Sequence, residues 1–228
     1  QLRLKNKQVK IFDLPTFDLK SKSSIKRAFS KNITQNTNCI LINCSGLMDA
    51  KISKENPELF YKINGIYVQR LIDIFSNSKS LSFIQLSSET VYGKGVNFRE
   101  NDRRMPIHPY GNSKKISEDI LNQNKDKNVN IVILRIPIVV GITSKTGNML
   151  TDFIKEAKNK SEITIFGNGK HKRKFIYQDD LSSIIVRISL NWRKFKKYEV
   201  FNIPGFICSA SELAKIIKKQ IKSDVKIS

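Results

Sequence analysis

Three residues near the middle of this 228-residue sequence, Ser88, Tyr110 and Lys114, have the types and spacing needed to move a proton to and from an alcohol. Tyr110 and Lys114 are four apart, so a helix would present both on one face. A free phenol ionises near pH ~10 and is a weak base at neutral pH. A neighbouring ammonium stabilises the phenolate, lowers that pKa and makes proton exchange with a substrate hydroxyl feasible. Ser88 lies in Ser87-Ser88-Glu89-Thr90-Val91-Tyr92-Gly93, directly after an apolar run, and can hold the same substrate oxygen in place for hydride transfer. Among the six tyrosines only Tyr110 has a lysine four residues on. A single such pair also suits a solvated helix face, so its meaning depends on the elements around it.

Those elements alternate. Strands are expected at Gln8–Phe12, Cys39–Asn43, Leu81–Leu86, Asn130–Arg135, Glu162–Phe166 and Glu199–Ile203. Helices are expected at Ser24–Ser30, Pro57–Ser76, Tyr110–Gln123, Met149–Asn159, Asp180–Leu190 and Ser211–Gln220. Several of the strands are short continuous apolar runs, as when both faces of a sheet are covered. Strand–helix alternation at this spacing predicts an α/β fold with a doubly wound parallel sheet. Ser209-Ala210-Ser211-Glu212 reads as a capping box that starts the last helix.

The length suffices for one core, or one core with a smaller lobe. The most apolar stretch, Ile131 to Val140, is broken by Arg135 and Pro137, so no membrane span is expected. The N-terminal residues lack the apolar segment of a secretory signal. Cys39, Cys44 and Cys208 form no C-x-x-C pair, and only His108 and His171 accompany them, which points away from a zinc site and a disulfide framework and fits a reducing cytoplasm. The formal charge is +21. The basic residues are scattered over many elements without an aromatic-interleaved stripe, so a solvated basic surface is expected rather than a specific nucleic-acid site. Attraction of an anionic substrate is a further consequence of that charge.

Around Ser88, Tyr110 and Lys114 lie Ile40-Leu41-Ile42-Asn43-Cys44-Ser45-Gly46, Asn64 and Leu134-Arg135-Ile136-Pro137. Further on come Gly167-Asn168-Gly169, Arg173-Lys174-Phe175 and Tyr177-Gln178-Asp179-Asp180-Leu181. In that order and spacing, from about Asp18 onward, the chain resembles the extended short-chain dehydrogenase/reductase family, the NAD-dependent epimerases and dehydratases of nucleotide sugars. The resemblance implies a Rossmann-type sheet over residues 1–137 and a small, mainly substrate-binding lobe over 138–228, with 171–203 returning to the main sheet. It implies NAD or NADP as cofactor, a nucleotide-sugar substrate and a homodimer. Ser88, Tyr110 and Lys114 become the catalytic residues.

The same resemblance places Asp18 and Leu19 beside the adenine, Cys44, Ser45 and Gly46 along the pyrophosphate and ribose, and Asn64, Ser87, Tyr110, Lys114 and Pro137 around the cofactor. Ser88, Glu89, Thr90 and Arg173 are implied substrate contacts, Arg173 because a guanidinium fork suits phosphate oxygens. Arg135 is read as a structural ion-pair partner, and Asp180 as a partner of its helix's N-terminal dipole. The dehydratase branch carries an Asp-Glu pair where this chain has Glu89-Thr90, and Thr90 has no carboxylate to deprotonate a sugar carbon, which favours epimerase or ketoreductase chemistry. Ile138 and Val140 replace the family's Asn and Tyr, which puts the usual diphosphate pose in doubt.

The first glycine is Gly46, after the strand that would be the fourth of a dinucleotide fold. The Gly-rich strand–turn–helix that cradles a pyrophosphate is therefore expected to be missing, on the order of 40 residues of such a unit. That gap motivates an alternative: a non-catalytic dinucleotide-binding relative acting as a sensor.

Overall fold

The computed structural model describes residues 8–13, 17–30, 39–76, 81–141, 149–221 and 225–228. Contacts divide the chain into two units, one of residues 1–94, 98–136 and 183–203, the other of 95–97, 137–182 and 204–228.

The first unit is built on a parallel sheet in the order β1-β2-β3-β7, with β1 at Cys39–Asn43, β2 at Leu81–Ser88, β3 at Asn130–Ile136 and β7 at Tyr198–Asn202. It is a Rossmann-type α/β sheet with surrounding helices. Strand β3 is buried at every position after Asn130, which is why its sequence is an apolar run rather than an alternation. Strand β1 pairs with β2 from Cys39 opposite Leu81 to Asn43 opposite Gln85. Strand β2 runs three residues further, paired with β3 as far as Ser88 opposite Ile136.

Helix α1 (Lys22–Ser30) buries Ile25 and Phe29. Helix α4 (Val68–Phe75) buries Val68, Leu71, Ile72 and Phe75. These faces pack with Phe83, Ile131, Ile133 and Leu121 into one core. At roughly 1.5–3 kcal/mol per fully buried aliphatic or aromatic side chain, this cluster is the main source of the unit's stability.

The expected strand at Gln8–Phe12 is irregular chain instead. Its alternation would need Ile11 inside, yet Ile11 is 75% exposed. Phe12 packs edge-on against Phe29 at 5.8 Å. The long helix expected over Pro57–Ser76 is interrupted: α3 (Pro57–Phe60) passes into a π-turn at Tyr61–Ile66 before α4 begins. The extra residue of a π-turn re-aims side chains, and such turns often accompany functional sites.

The second unit has a three-stranded sheet, β4-β6-β8, from Ile138–Val140, Lys172–Tyr177 and Phe206–Ser209. Helix α6 (Met149–Lys160) and helix α8 (Ala210–Ile221) contribute Phe153, Ala157, Leu213, Ala214 and Ile217 to its core. The stretch 171–203 divides: β6 joins this sheet, whereas β7 joins β3 in the first unit. Between them runs α7 (Gln178–Leu190), with Asp179 and Asp180 in its first turn. Strand β5 covers only Glu162–Ile163, and Phe166, expected to continue it, is 92% exposed. The capping box is formed reciprocally: Ser209 N donates to Glu212 at 2.7 Å, and Glu212 N donates to Ser209 Oγ at 3.2 Å. Among the described residues no helix is long and apolar enough to cross a membrane.

Candidate active site

Helix α5 (Pro109–Gln123) carries Tyr110 and Lys114. Pro109 opens it at the first helical position, where a missing N–H is harmless. Gly111 then allows close approach: a Cβ there would lie 2.7 Å from the Thr90 carbonyl oxygen. Strand β2 delivers Ser88 to the same place, and a 3-10 turn at Glu89–Val91 follows it. Ser88 Oγ accepts from Thr90 N at 3.3 Å and Thr90 Oγ1 at 3.0 Å, and the Ser88 side chain is close enough to the Tyr110 phenol to oppose the rise in its pKa. The hydroxyl and the phenol singled out in the sequence therefore meet, with Thr90 behind them.

Lys114 is 5% exposed. Its Nζ donates to the Leu86 carbonyl at 3.0 Å. That carbonyl lies just beyond Gln85, where pairing with β1 stops. Nζ sits 5.8 Å from the centroid of the Tyr110 ring. Burial pulls the Lys114 pKa down to about 8, against the attraction of Cys44 and Glu118. Burial also pushes the Tyr110 phenol up, opposed by its bond to Ser88. The sequence expectation was that Lys114 lowers the phenol. Ser88 is the group that does so, because the ammonium is turned to Leu86.

The loop after β1 closes the other side. Asn43 Oδ1 accepts from Ser45 N at 3.2 Å and Ser45 Oγ at 2.5 Å, while Asn43 Nδ2 reaches Gln85 at 2.8 Å. Asn64, raised by the π-turn, clamps Leu47 like a second peptide, accepting from its N–H at 2.7 Å and donating to its carbonyl at 2.9 Å. The remaining Asn64 proton goes to Ser113 Oγ at 3.1 Å, and Ser113 donates to the Tyr110 carbonyl at 2.7 Å. Gly46 lies between: a Cβ there would stand 3.0 Å from Asn64 Oδ1 and 3.3 Å from Lys114 Nζ. The missing side chain leaves a cradle beside the Lys114 ammonium and the loop backbone, which suits the ribose side of a dinucleotide.

Other expected site residues are placed as follows. Ser87 directs its hydroxyl to Glu118 at 2.5 Å. Arg135 is an ion-pair partner, 2.7 Å from Glu118. Asp18 turns its carboxylate to Lys20 N at 2.9 Å ahead of α1, and Leu19 is buried in the core. Glu89 opens the 3-10 turn. Pro137 and Arg173 lie in the second unit; Pro137 is buried after β3, and Arg173 is exposed on β6 opposite Cys208. Asn43, Gln85, Ser113 and Glu118 join the site without a role expected of them from the sequence. The signal for Glu118 was present: Tyr110, Lys114 and Glu118 repeat at intervals of four along one helix.

The chain is similar to known proteins in sequence and in fold. A candidate UDP-glucose 4-epimerase of Methanocaldococcus jannaschii is 30% identical over 191 residues, covering 80% of this chain and 61% of its own. Two solved structures share the fold. Pal from Bacillus thuringiensis superposes with a TM-score of 0.79 at 22% identity over 92% of this chain and 66% of its own. UDP-glucuronic acid 4-epimerase from Bacillus cereus, determined with UDP-glucuronic acid and NAD, gives 0.77 at 23% identity over 92% and 66%. This chain thus spans about three fifths of that curated relative's length. Residues 3–204 match the family model for NAD dependent epimerases and dehydratases, and the chain belongs to that family.

Proposed function

We propose that this chain carries the proton-transfer site of an NAD(P)-dependent nucleotide-sugar epimerase or ketoreductase, with Ser88, Tyr110 and Lys114 as the catalytic residues. The observation that carries the reading is the convergence of Ser88, at the end of β2, on the Tyr110 phenol, with Lys114 buried one helical turn along α5. Tyr110, as phenolate, takes the proton of a sugar hydroxyl, and Ser88 holds that oxygen. Lys114, once drawn from Leu86, stabilises the phenolate and holds ribose hydroxyls. Lys114 and the Gly46 backbone would hold NAD(P), which would supply the hydride acceptor for the sugar carbon.

Gly46, with Cys44 and Ser45, supplies backbone along the cofactor, and Asn64 serves it by bracing Leu47. Ser87 contributes through its backbone, since its hydroxyl is occupied by Glu118. The assignments of Asp18 and Leu19 to the adenine end, of Pro137 to the nicotinamide side, and of Glu89, Thr90 and Arg173 to substrate rest on family resemblance. Thr90 spends its hydroxyl on Ser88 and brings no carboxylate, which supports epimerase or reductase chemistry over loss of water.

Incubating the complete protein with UDP-glucose or UDP-glucuronate, with and without NAD, tests this. Epimer formation without net cofactor reduction identifies an epimerase. Oxidation of NAD(P)H by a nucleotide keto sugar identifies a reductase. Absence of both over a panel of nucleotide sugars would overturn the reading.

A further inference from the structure

We propose that Glu118 is a positioning residue of this site: by holding Ser87 it fixes the neighbouring Ser88 hydroxyl against Tyr110. The inference rests on the reading of Ser88, Tyr110 and Lys114 given above. Three side chains of α5, spaced by four, engage three consecutive residues of β2. The phenol of Tyr110 meets Ser88, the ammonium of Lys114 meets the Leu86 carbonyl at 3.0 Å, and the carboxylate of Glu118 meets Ser87 Oγ at 2.5 Å. Helix and strand end are stapled residue by residue, and Ser88 directly follows Ser87 in β2, so holding Ser87 restrains the backbone that carries the Ser88 hydroxyl.

Glu118 is 1% exposed, and a carboxylate that deep needs compensation. It has more than one partner. Arg135 Nη2 lies 2.7 Å away and Arg104 Nη1 3.0 Å away, while Arg135 Nε reaches both oxygens at 3.1 and 3.2 Å. Arg135 is the register partner of Ser87 on β3. It is held in turn by the Tyr92 hydroxyl and the Glu100 carbonyl, the latter at 2.9 Å. The carboxylate therefore refers Ser87 to a fixed frame on the next strand.

The same carboxylate acts on Lys114. The charged and titratable groups facing Lys114 are Cys44 from the loop after β1, and Tyr110 and Glu118 from its own helix. Glu118 itself faces Arg135 and Arg104, with Tyr198 of β7 further off. With the carboxylate gone, Arg104 would keep Asp119 at 2.6 Å, but the buried Arg135 guanidinium would lose its carboxylate partner one helical turn from a buried ammonium, and the neutral amine would be favoured. A residue that braces the fold without facing Lys114 would not change its titration.

Two variants of the complete protein test this, Glu118→Gln and Ser87→Ala. Lys114 is titrated by NMR of its side-chain carbon, assigned against Lys114→Met, and steady-state kinetics are measured on the nucleotide sugar that shows turnover. Ser87→Ala is expected to lower kcat on the order of tenfold with KM little changed, since a small displacement of a reacting group is costly. It should leave the Lys114 midpoint in place, because the carboxylate remains. Glu118→Gln is expected to lower both kcat and the Lys114 midpoint, the latter by about one pH unit. A folded Glu118→Gln protein with an unmoved Lys114 midpoint, or a Ser87→Ala protein with unaltered kcat, would overturn the proposal. Should Glu118→Gln fail to fold, the kcat of Ser87→Ala decides. Should the complete protein turn over no nucleotide sugar, the proposed activity fails, and the Lys114 midpoint in Glu118→Gln still decides the role of Glu118.

Discussion

Tyr110 and Lys114 are each pushed by burial toward the uncharged form, the phenol upward and the amine down to about 8. For Tyr110 this makes the hydroxyl the group whose loss is specific. Tyr110→Phe keeps the ring's packing and is expected to reduce turnover at least ~10³-fold with little change in folding, within the range of general acid–base contributions. A variant that retains more than about a tenth of the wild-type rate would remove Tyr110 from the mechanism. For Lys114 the consequence is a pH limit. As pH rises through about 8 the ammonium is lost, and with it the attraction for a phenolate, so the alkaline limb of the rate profile is expected there. A limb at the ordinary lysine value of ~10.5 would contradict this. Stability follows with a definite sign. The folded pKa lies below the unfolded one, so the unfolded chain binds more protons between about 8 and 10.5, and stability rises with pH across that window. The rise should be absent from Lys114→Met, as urea titrations at pH 7 and 10 would show.

The elements explain why these residues converge. An uninterrupted helix over Pro57–Phe75 would aim Asn64 differently; the π-turn directs it at Leu47 and Ser113 at once. Asn64→Ala would leave the Leu47 N–H and carbonyl and the Ser113 hydroxyl short of partners. It is expected to destabilise the protein by roughly 2–4 kcal/mol, as several unmade buried hydrogen bonds should. Equilibrium urea unfolding measures this, and a change under ~0.5 kcal/mol would mean that water replaces the clamp without loss. Strand lengths matter equally. Strand β1 stops pairing at Gln85 while β2 continues to Ser88, and that offset leaves the Leu86 carbonyl to meet Lys114.

On the scale of the whole molecule, the chain carries a net charge of +21 and a site proposed to take a nucleotide diphosphate. Long-range attraction of that kind is screened as the Debye length falls from ~30 Å at 0.01 M salt to ~8 Å at 0.15 M. KM for a nucleotide sugar is therefore expected to rise about threefold or more over this range while kcat holds steady. A KM independent of salt would confine the basic residues to general solvation.

Much of this was readable one segment at a time. The strands at Cys39–Asn43 and Asn130–Ile136 and the helices around Tyr110–Gln123 and Ala210–Ile221 follow from apolar runs, helical spacing and a capping box, all decided within a few residues. Ser88, Tyr110 and Lys114 were legible for the same reason: a hydroxyl after a strand and a four-residue interval are local facts. Strand β6 was not recognised, because only Phe175 and Ile176 of it are buried and its lysines suggest a loop until β4 and β8 flank it. The partner of Lys114, the clamp made by Asn64 and the frame around Glu118 belong to the tertiary structure alone. They join residues 28, 17 and 31 positions apart, and no local pattern encodes which carbonyl, peptide or hydroxyl the folded chain will bring within hydrogen-bonding distance.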